Sequence, residues 1–346
     1  MKQVAIMGAT GYTGLELIRL LRLHPEVELG WISSETHQGE TLGEVHPHLE
    51  EFSSLVFGPT RAEEVPPDTE VVFCALPHGS SAETSRTLLE RGIRVVDLSA
   101  DFRLKKASLY LDWYGSEHPC PDLLKEAVYG LPEANRSQVR EARLVANPGC
   151  YPTSVLLALR PLALKGVLPE GGLVVDAKSG VSGAGRAPRQ AFHFPECSES
   201  FKAYRIGAHQ HTPEMEQELT QYGDQQVRML FTPHLIPVNR GIISAAYLPL
   251  SEKFEEEELR DIFQQLYREE EFVKVLPAGI YPETRWVRGT NYCHLNWKLD
   301  DRTGTLVVVS ALDNLVKGAA GQAVQNMNLM LDLPEETGLQ GTALLP

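Results

Sequence analysis

No apolar stretch among the 346 residues is long enough to cross a membrane as a helix. No C-x-x-C pair is present either. The five cysteines, Cys74, Cys120, Cys150, Cys197 and Cys293, are widely and irregularly spaced, so neither a structural zinc site nor a disulfide framework is expected. An odd number fits free thiols in a reducing compartment, and the sequence reads as cytoplasmic. Basic residues are in deficit, 32 Lys and Arg against 46 Asp and Glu, for a net charge of −14. That balance disfavours nucleic acid or an anionic membrane as a partner, but a local basic site can still receive a small anionic substrate. Internal repeats and low-complexity segments are missing; Glu255 to Glu258 reads as the solvated start of a helix. No signal peptide is expected, because the chain enters the strand-like run Val4-Ala5-Ile6-Met7 directly.

What is present suits two domains with sizeable cores. Lys2 to Met7 reads as a buried strand, and the amphipathic run Leu15 to Leu23 as a helix ended by His24-Pro25. Between them lies Gly8-Ala9-Thr10-Gly11-Tyr12-Thr13-Gly14, a G-x-x-G-x-x-G variant of the dinucleotide fingerprint in its strand–turn–helix setting. A second strand, Val27 to Ile32, ends at Ser33-Ser34, where an NAD site often carries an acidic residue; small hydroxyls there leave room for a 2′-phosphate and favour NADP, although Glu35 is adjacent. Val71 to Leu76, closed by Pro77-His78-Gly79, and Val95 to Leu98, closed by Asp101-Phe102-Arg103, continue an alternation of strands and helices. This is the pattern of a doubly wound parallel sheet, whose carboxyl-end loops bind ligands. Arg103 on that rim reads either as a phosphate clamp or as the ion-pair partner of Asp101.

The stretch Asn147-Pro148-Gly149-Cys150-Tyr151-Pro152-Thr153 organises the rest. It follows the apolar run Leu144-Val145-Ala146 and precedes Val155 to Leu159, so it reads as strand, turn, helix, with Pro152 in the first helical turn. Cys150 then lies where helix N–H groups favour an anion and can lower a thiol pKa. A buried cysteine acting as a small hydrophobe is the alternative. Beyond it the chain becomes β-rich: Leu173 to Ala177, Val227 to Phe231, Ile242 to Leu248 and Leu306 to Ala311 predict a mixed or antiparallel sheet. Lys178 to Arg186 reads as a small-residue loop that either folds over a substrate or merely connects. In His209-Gln210-His211-Thr212-Pro213-Glu214, Thr212 reads as an N-cap and Pro213 as the first helical residue. Paired with a thiolate, one of these histidines is a candidate general acid/base; a third metal ligand at matching spacing is missing, and no metal is expected. A last helix is predicted over about Asn314 to Leu331, returning to the first domain.

These motifs, with Asp97-Leu98-Ser99-Ala100 and Asp313-Asn314-Leu315-Val316-Lys317-Gly318, together resemble the N-acetyl-γ-glutamyl-phosphate reductase family, NADPH enzymes of arginine biosynthesis, in order over almost the whole chain. The resemblance implies an α/β protein: a Rossmann-type doubly wound parallel sheet (1–149 and 316–346) plus an α+β second domain of aspartate-semialdehyde-dehydrogenase type (150–315), forming a homo-oligomer, dimer or tetramer. It implies reductive dephosphorylation of a small-molecule acyl phosphate through a Cys150 thioester, with His209 as acid/base and His211 as second choice. NADP then falls to Gly8, Thr10, Gly11, Tyr12, Thr13, Gly14, Ser33, Ser34, Pro77 and Asn314, and substrate to Arg103, Asn147, Ser179, Gly180, His211 and Glu214. Gln210 departs from the family, which usually places a basic residue between the histidines. Within enzymes the alternatives are the aminoadipyl-phosphate reductase of lysine biosynthesis and aspartate-semialdehyde dehydrogenase. Outside them, the alternative is a nucleotide-sensing Rossmann module.

Overall fold

The computed structural model describes residues 1–49, 54–250 and 253–344. The chain divides into two compact units, Met1–Pro148 with Ala319–Gln340, and Gly149–Gly318 with Gly341–Pro346.

The described residues of the first unit build a seven-stranded sheet from β1 (Lys2–Met7), β2 (Val27–Ser33), β3 (Phe57–Gly58), β4 (Val71–Cys74), β5 (Arg94–Asp97), β6 (Val128–Tyr129) and β7 (Leu144–Ala146), in the order β3-β2-β1-β4-β5-β7-β6. Every neighbouring pair is parallel. All residues of β4 and β7 are buried, as in a sheet covered on both faces. The strand order reverses direction at β1, which opens a crevice at the carboxyl ends of β1, β2 and β4. The helix Tyr12–Leu21 starts directly at the end of that crevice and buries Leu17, Ile18, Leu20 and Leu21.

The expected continuous C-terminal helix is instead two pieces. Val316–Ala320 is a π-helical turn and Gly321–Met330 an α-helix. The Asp313 carboxylate accepts from Leu315 N–H at 2.8 Å and Gly289 N–H at 2.7 Å, and Gly318 N–H reaches back five residues to the Asp313 carbonyl at 2.9 Å. This wider ring displaces the start of the α-helix. Gly321–Met330 is buried along its whole length in the first unit. Polar side chains fix it there: Asn326 Nδ2 donates to the Gly130 carbonyl (2.8 Å), and Asn328 Oδ1 pairs with His24 Nε2 (2.9 Å).

The described residues of the second unit form a mixed sheet of β8 (Leu173–Gly180), β9 (Lys202–Ala203), β10 (Met229–Ile236), β11 (Ile242–Pro249), β12 (Val273–Val275), β13 (Cys293–Asp300) and β14 (Thr305–Leu312), in the order β12-β13-β14-β11-β8-β10-β9. β8–β10 and β12–β13 are parallel; the other pairs are antiparallel. One face packs under the helices Cys150–Leu164 and Glu256–Tyr267. The other leaves Val174, Ile243, Val307 and Val309 half-buried and Leu230 and Tyr247 exposed. Three sequence readings are corrected here. Lys178–Gly180 is strand, leaving only the turn Val181–Ala184 as the small-residue segment. The strand expected at Val227 begins at Met229 and runs through Pro233 to Ile236. β13 had no counterpart in the sequence reading, although Cys293, Leu295 and Trp297 alternate with His294, Asn296 and Lys298 at the period of a strand.

The helix Cys150–Leu164 is the axis of this unit. Ser154 Oγ bonds Ser244 Oγ (2.9 Å) on β11 and Ser310 Oγ (2.8 Å) on β14, so a buried hydroxyl cluster sets the helix on the sheet. Pro161 lies within the helix and removes the N–H that would bond the Leu157 carbonyl. Tyr267 Oη replaces that donor at 2.6 Å. Tyr267→Phe keeps the packing and deprives this carbonyl of its donor. It is expected to cost about 1–3 kcal/mol in a urea titration with unchanged m-value.

Candidate active site

In the first unit, a cavity of about 430 Å³ is lined by Gly8, Thr10, Gly11, Ser34, Glu35, Thr36, Thr60, Ala75, Leu76, Pro77, Ser80 and Thr84. Gly8 turns the chain out of β1 with φ +80°, and a Cβ there would stand 2.5 Å from the Ala75 carbonyl oxygen. The backbone of the turn therefore presses against the end of β4, and only glycine satisfies both conditions. Gly8→Ala should lose both stability and dinucleotide affinity, read by thermal melting with and without NADP, where the ligand-induced rise in Tm should vanish.

Of the sequence-named residues, Gly8, Thr10, Gly11, Ser34 and Pro77 line this cavity. Ser33 stands behind it: its Oγ accepts from Gly8 N–H at 3.3 Å and pairs with Thr60 Oγ1 at 3.2 Å. Gly14 lies against the Ala9 backbone, and Tyr12 is exposed. Thr13, half-buried in the first helical turn, is not among the lining residues. The sequence reading missed Thr36 and Thr60, which come from loops, and Ser80 and Thr84, which cap and open the helix Ser81–Glu90; none carries a local signature. The opposite wall is braced by Asp101. Its carboxylate accepts from the N–H groups of Gly79 (2.7 Å), Ser81 (3.1 Å) and Ala82 (3.1 Å), and from Tyr110 Oη (2.9 Å). A glycine turn at a helix start, an adjoining ring of hydroxyls and a cavity of this volume fit a phosphorylated dinucleotide.

Arg103, nearly buried, donates to the Asn147 carbonyl (2.8 Å) and the Leu98 carbonyl (2.9 Å). The Asn147 amide donates to the Ala319 carbonyl (3.1 Å) and accepts from Asn326 Nδ2 (3.0 Å).

In the second unit, Cys150 is the first residue of the helix Cys150–Leu164, capped by Gly149. It alone among the five thiols is half-buried; Cys74, Cys120, Cys197 and Cys293 are buried. A Cβ on Gly318 would stand 2.9 Å from the Cys150 Cβ, so glycine there lets the π-helical turn close against the thiol residue. Glu214, buried, accepts from Gly149 N–H at 2.9 Å and ties the helix Thr212–Gly223 to the cap of the cysteine helix. His211 rather than Thr212 occupies the N-cap position of that helix: Thr212 is already its first residue and Pro213 its second, and Thr212 N–H is taken up by the His209 carbonyl at 2.9 Å.

The imidazole of His209 lies edge-on to Tyr151 (5.6 Å), Tyr204 (5.5 Å), Phe231 (5.4 Å) and His211 (4.8 Å). Burial, with the Arg205 charge adding to it, lowers its pKa from 6.5 to about 4, so the ring is neutral at pH 7. His211 N–H points at His209 Nδ1 at 3.1 Å; Nδ1 is thus an acceptor and the ring proton sits on Nε2. Tyr204 Oη donates to Tyr151 Oη at 3.2 Å, and burial pushes Tyr204 up to about 12, with the nearby Cys150 also raising it. The structure therefore gathers Cys150, His209, His211 and Glu214 into one cluster, with Ser179 joined through Tyr151. Gly180 donates to the Gly241 carbonyl. Asn314 accepts from Gly241 N–H (2.8 Å) and donates to Ser182 Oγ (2.9 Å), holding the Val181–Ala184 turn. Tyr151 and Tyr204, both missed, complete the cluster. Only the pairing of β9 with β10 brings Tyr204 into it.

With a cavity at the glycine turn of one unit and, in the other, a helix-start thiol joined to a neutral imidazole through Tyr151 and Tyr204, the chain is a protein of the semialdehyde dehydrogenase class. The family model for the semialdehyde dehydrogenase NAD binding domain matches residues 3–142, and that for the dimerisation domain matches residues 150–314. The fold agrees. Aspartate semialdehyde dehydrogenase II of Vibrio cholerae, complexed with ASA, superposes with a TM-score of 0.72 at 18% identity, covering 96% of this chain and 98% of that one. The Candida albicans enzyme with NADP gives 0.70 at 16%, with the same coverage. Within this class, the chain is 50% identical over 344 residues to the N-acetyl-γ-glutamyl-phosphate reductase of Pelotomaculum thermopropionicum, covering 99% of each. It is 49% identical over 346 residues to that of Moorella thermoacetica, covering 100% of each. The chain belongs to the N-acetyl-γ-glutamyl-phosphate reductase family.

Proposed function

We infer that this protein reduces N-acetyl-γ-glutamyl phosphate to N-acetylglutamate 5-semialdehyde and phosphate with NADPH, a step of arginine biosynthesis. The observation that carries the mechanism is Cys150: the half-buried thiol at a helix start, in one cluster with a neutral histidine.

The Cys150 thiolate attacks the acyl carbon. The carbon–oxygen bond to the phosphoryl group breaks, and phosphate leaves. NADPH, which Gly8, Thr10, Gly11 and Ser34 would hold, would supply the hydride that reduces the resulting thioester to a thiohemiacetal oxyanion. His209 Nε2–H donates a hydrogen bond to that oxyanion, as do helix N–H groups near Cys150, each such donor being worth on the order of 3 kcal/mol. Collapse breaks the carbon–sulfur bond, restores the thiolate and releases the aldehyde. With the ring neutral, donation rather than full proton transfer is the role this geometry supports. Transfer requires the ring first to take up a proton, which the negative charges of thiolate and bound acyl phosphate favour.

We assign dinucleotide binding to 1–149 and 316–346, and catalysis and oligomerisation to 150–315. Gly8, Thr10, Gly11, Tyr12, Thr13, Gly14, Ser33, Ser34, Pro77 and Asn314 serve the cofactor; Arg103, Asn147, Ser179, Gly180, His211 and Glu214 serve the substrate. The homo-oligomer is a dimer or a tetramer, with copies meeting on the uncovered apolar face of the second sheet. The enzyme works in the cytoplasm, a reading supported by its free thiols. Among the described residues, no helix is long and apolar enough to cross a membrane. The test is the reverse assay with phosphate, NADP or NAD, and each of the N-acetylglutamate, aminoadipate and aspartate semialdehydes. The first aldehyde with NADP should turn over with the highest kcat/KM; preference for either of the others would overturn the substrate assignment.

A further inference from the structure

Arg205 is one of the few non-glycine residues with positive φ, at +45°, a conformation disfavoured by its Cβ. The turn that holds it is pinned to β10. Tyr204 N–H donates to the Pro233 carbonyl (3.1 Å), Gly207 N–H to the Phe231 carbonyl (3.1 Å), and Ala208 N–H to the Arg205 carbonyl (3.0 Å). The side chain is exposed, and its Nη1 donates to Gln210 Oε1 at 2.9 Å. Among the described residues its guanidinium has no carboxylate partner, although the chain carries 46 acidic residues against 32 basic ones. A neutral amide holds the fork in place without neutralising it. The charge nevertheless acts on the site: it disfavours protonation of His209 and acts on Tyr204, and Tyr204 in turn senses Cys150.

We propose that Arg205, positioned by Gln210, binds an oxyanion of the acyl-phosphate substrate beside His209. A guanidinium fork suits this chemistry, since it meets a planar carboxylate or a phosphoryl group with two parallel hydrogen bonds. The substrate offers both sources, its phosphoryl group and its free carboxylate. The strained backbone and the Gln210 contact are the means by which a long, flexible side chain is ordered before the substrate arrives. Gln210 supplies no charge between the histidines; it directs the charge of Arg205.

This inference rests on the acyl-phosphate reductase reading, and the test separates the two. In the reverse assay, phosphate and semialdehyde are varied independently for the wild type, Arg205→Gln, Arg205→Lys and Gln210→Ala. Arg205→Gln should raise KM for one of the two anions about tenfold or more, with KM for NADP unchanged and kcat little altered. Arg205→Lys should lie between, and Gln210→Ala should show a smaller rise for the same anion. The anion whose KM moves identifies the bound group. A second readout needs no turnover. Phosphate or N-acetylglutamate should protect Cys150 from iodoacetamide in the wild type at a concentration about tenfold lower than in Arg205→Gln. The loss of activity expected on protonation of His209 at low pH should also move to higher pH in Arg205→Gln, with Tyr151, Tyr204 and His211 facing the ring in both proteins. Wild-type KM values for both anions together with wild-type protection in Arg205→Gln would overturn the inference while leaving the reductase reading intact. An inactive wild type that still shows Arg205-dependent protection would overturn only the reading.

Discussion

Cys150→Ala is expected to reduce NADPH-dependent turnover of the acyl phosphate by at least about 10³-fold, since the covalent step has no other nucleophile. NADP affinity should stay at the wild-type value, because Cys150 is not among the residues that line the dinucleotide cavity. In the wild-type protein, acyl phosphate without NADPH should leave one acyl group on the chain, mapped to Cys150 by peptide mass spectrometry. Iodoacetamide should alkylate Cys150 well before Cys74, Cys120, Cys197 and Cys293, which are buried. An acyl group on any other residue, or a Cys150→Ala enzyme with near wild-type kcat, would end the thioester mechanism.

His209→Gln is expected to lower kcat by about 10²- to 10³-fold, the usual effect of removing one oxyanion donor. The pH dependence distinguishes this role from that of an ordinary titrating histidine. Because burial and then Arg205 hold the ring's pKa at about 4, its ionisation should leave the kcat/KM profile flat between pH 6 and 8, with loss only as pH falls toward 4. A limb near pH 6.5 that disappears in His209→Gln would instead make His209 a base that titrates near neutrality. Stability carries the same signature. Above pH 6.5 the ring is neutral in folded and unfolded protein alike. Between 6.5 and about 4 the unfolded chain takes up a proton that the folded one refuses, so stability falls as pH falls, by up to roughly 3 kcal/mol from this group. His209→Gln should therefore lose less stability than the wild type across that window in denaturant titrations.

Local chemistry made much of this legible in the chain. Gly8 to Gly14 between a buried strand and an amphipathic helix, and Gly149-Cys150-Tyr151-Pro152 between two apolar runs, each combine backbone restrictions with a hydrophobic period, and few other structures satisfy both. The π-helical turn at Val316–Ala320 was not legible, because it depends on Asp313 being bonded by Gly289, a partner 24 residues away. β13 was readable by its alternation, but its polar positions hid it among the surrounding loops.

Residue order alone settled which backbone shapes were available: where a glycine had to turn, where a proline could begin a helix, and which runs had to be buried. It also placed a thiol at a helix start. Folding in three dimensions decided the rest. It made Cys150 the accessible thiol of the five, set the proton of His209 on Nε2 through a neighbouring amide, and brought Tyr204 and Arg205 to the histidines by strand pairing. The reason is physical. Dihedral preferences and hydrophobic period act over a few residues and are written locally, whereas burial, desolvation and charge–charge distance exist only once distant segments are packed together.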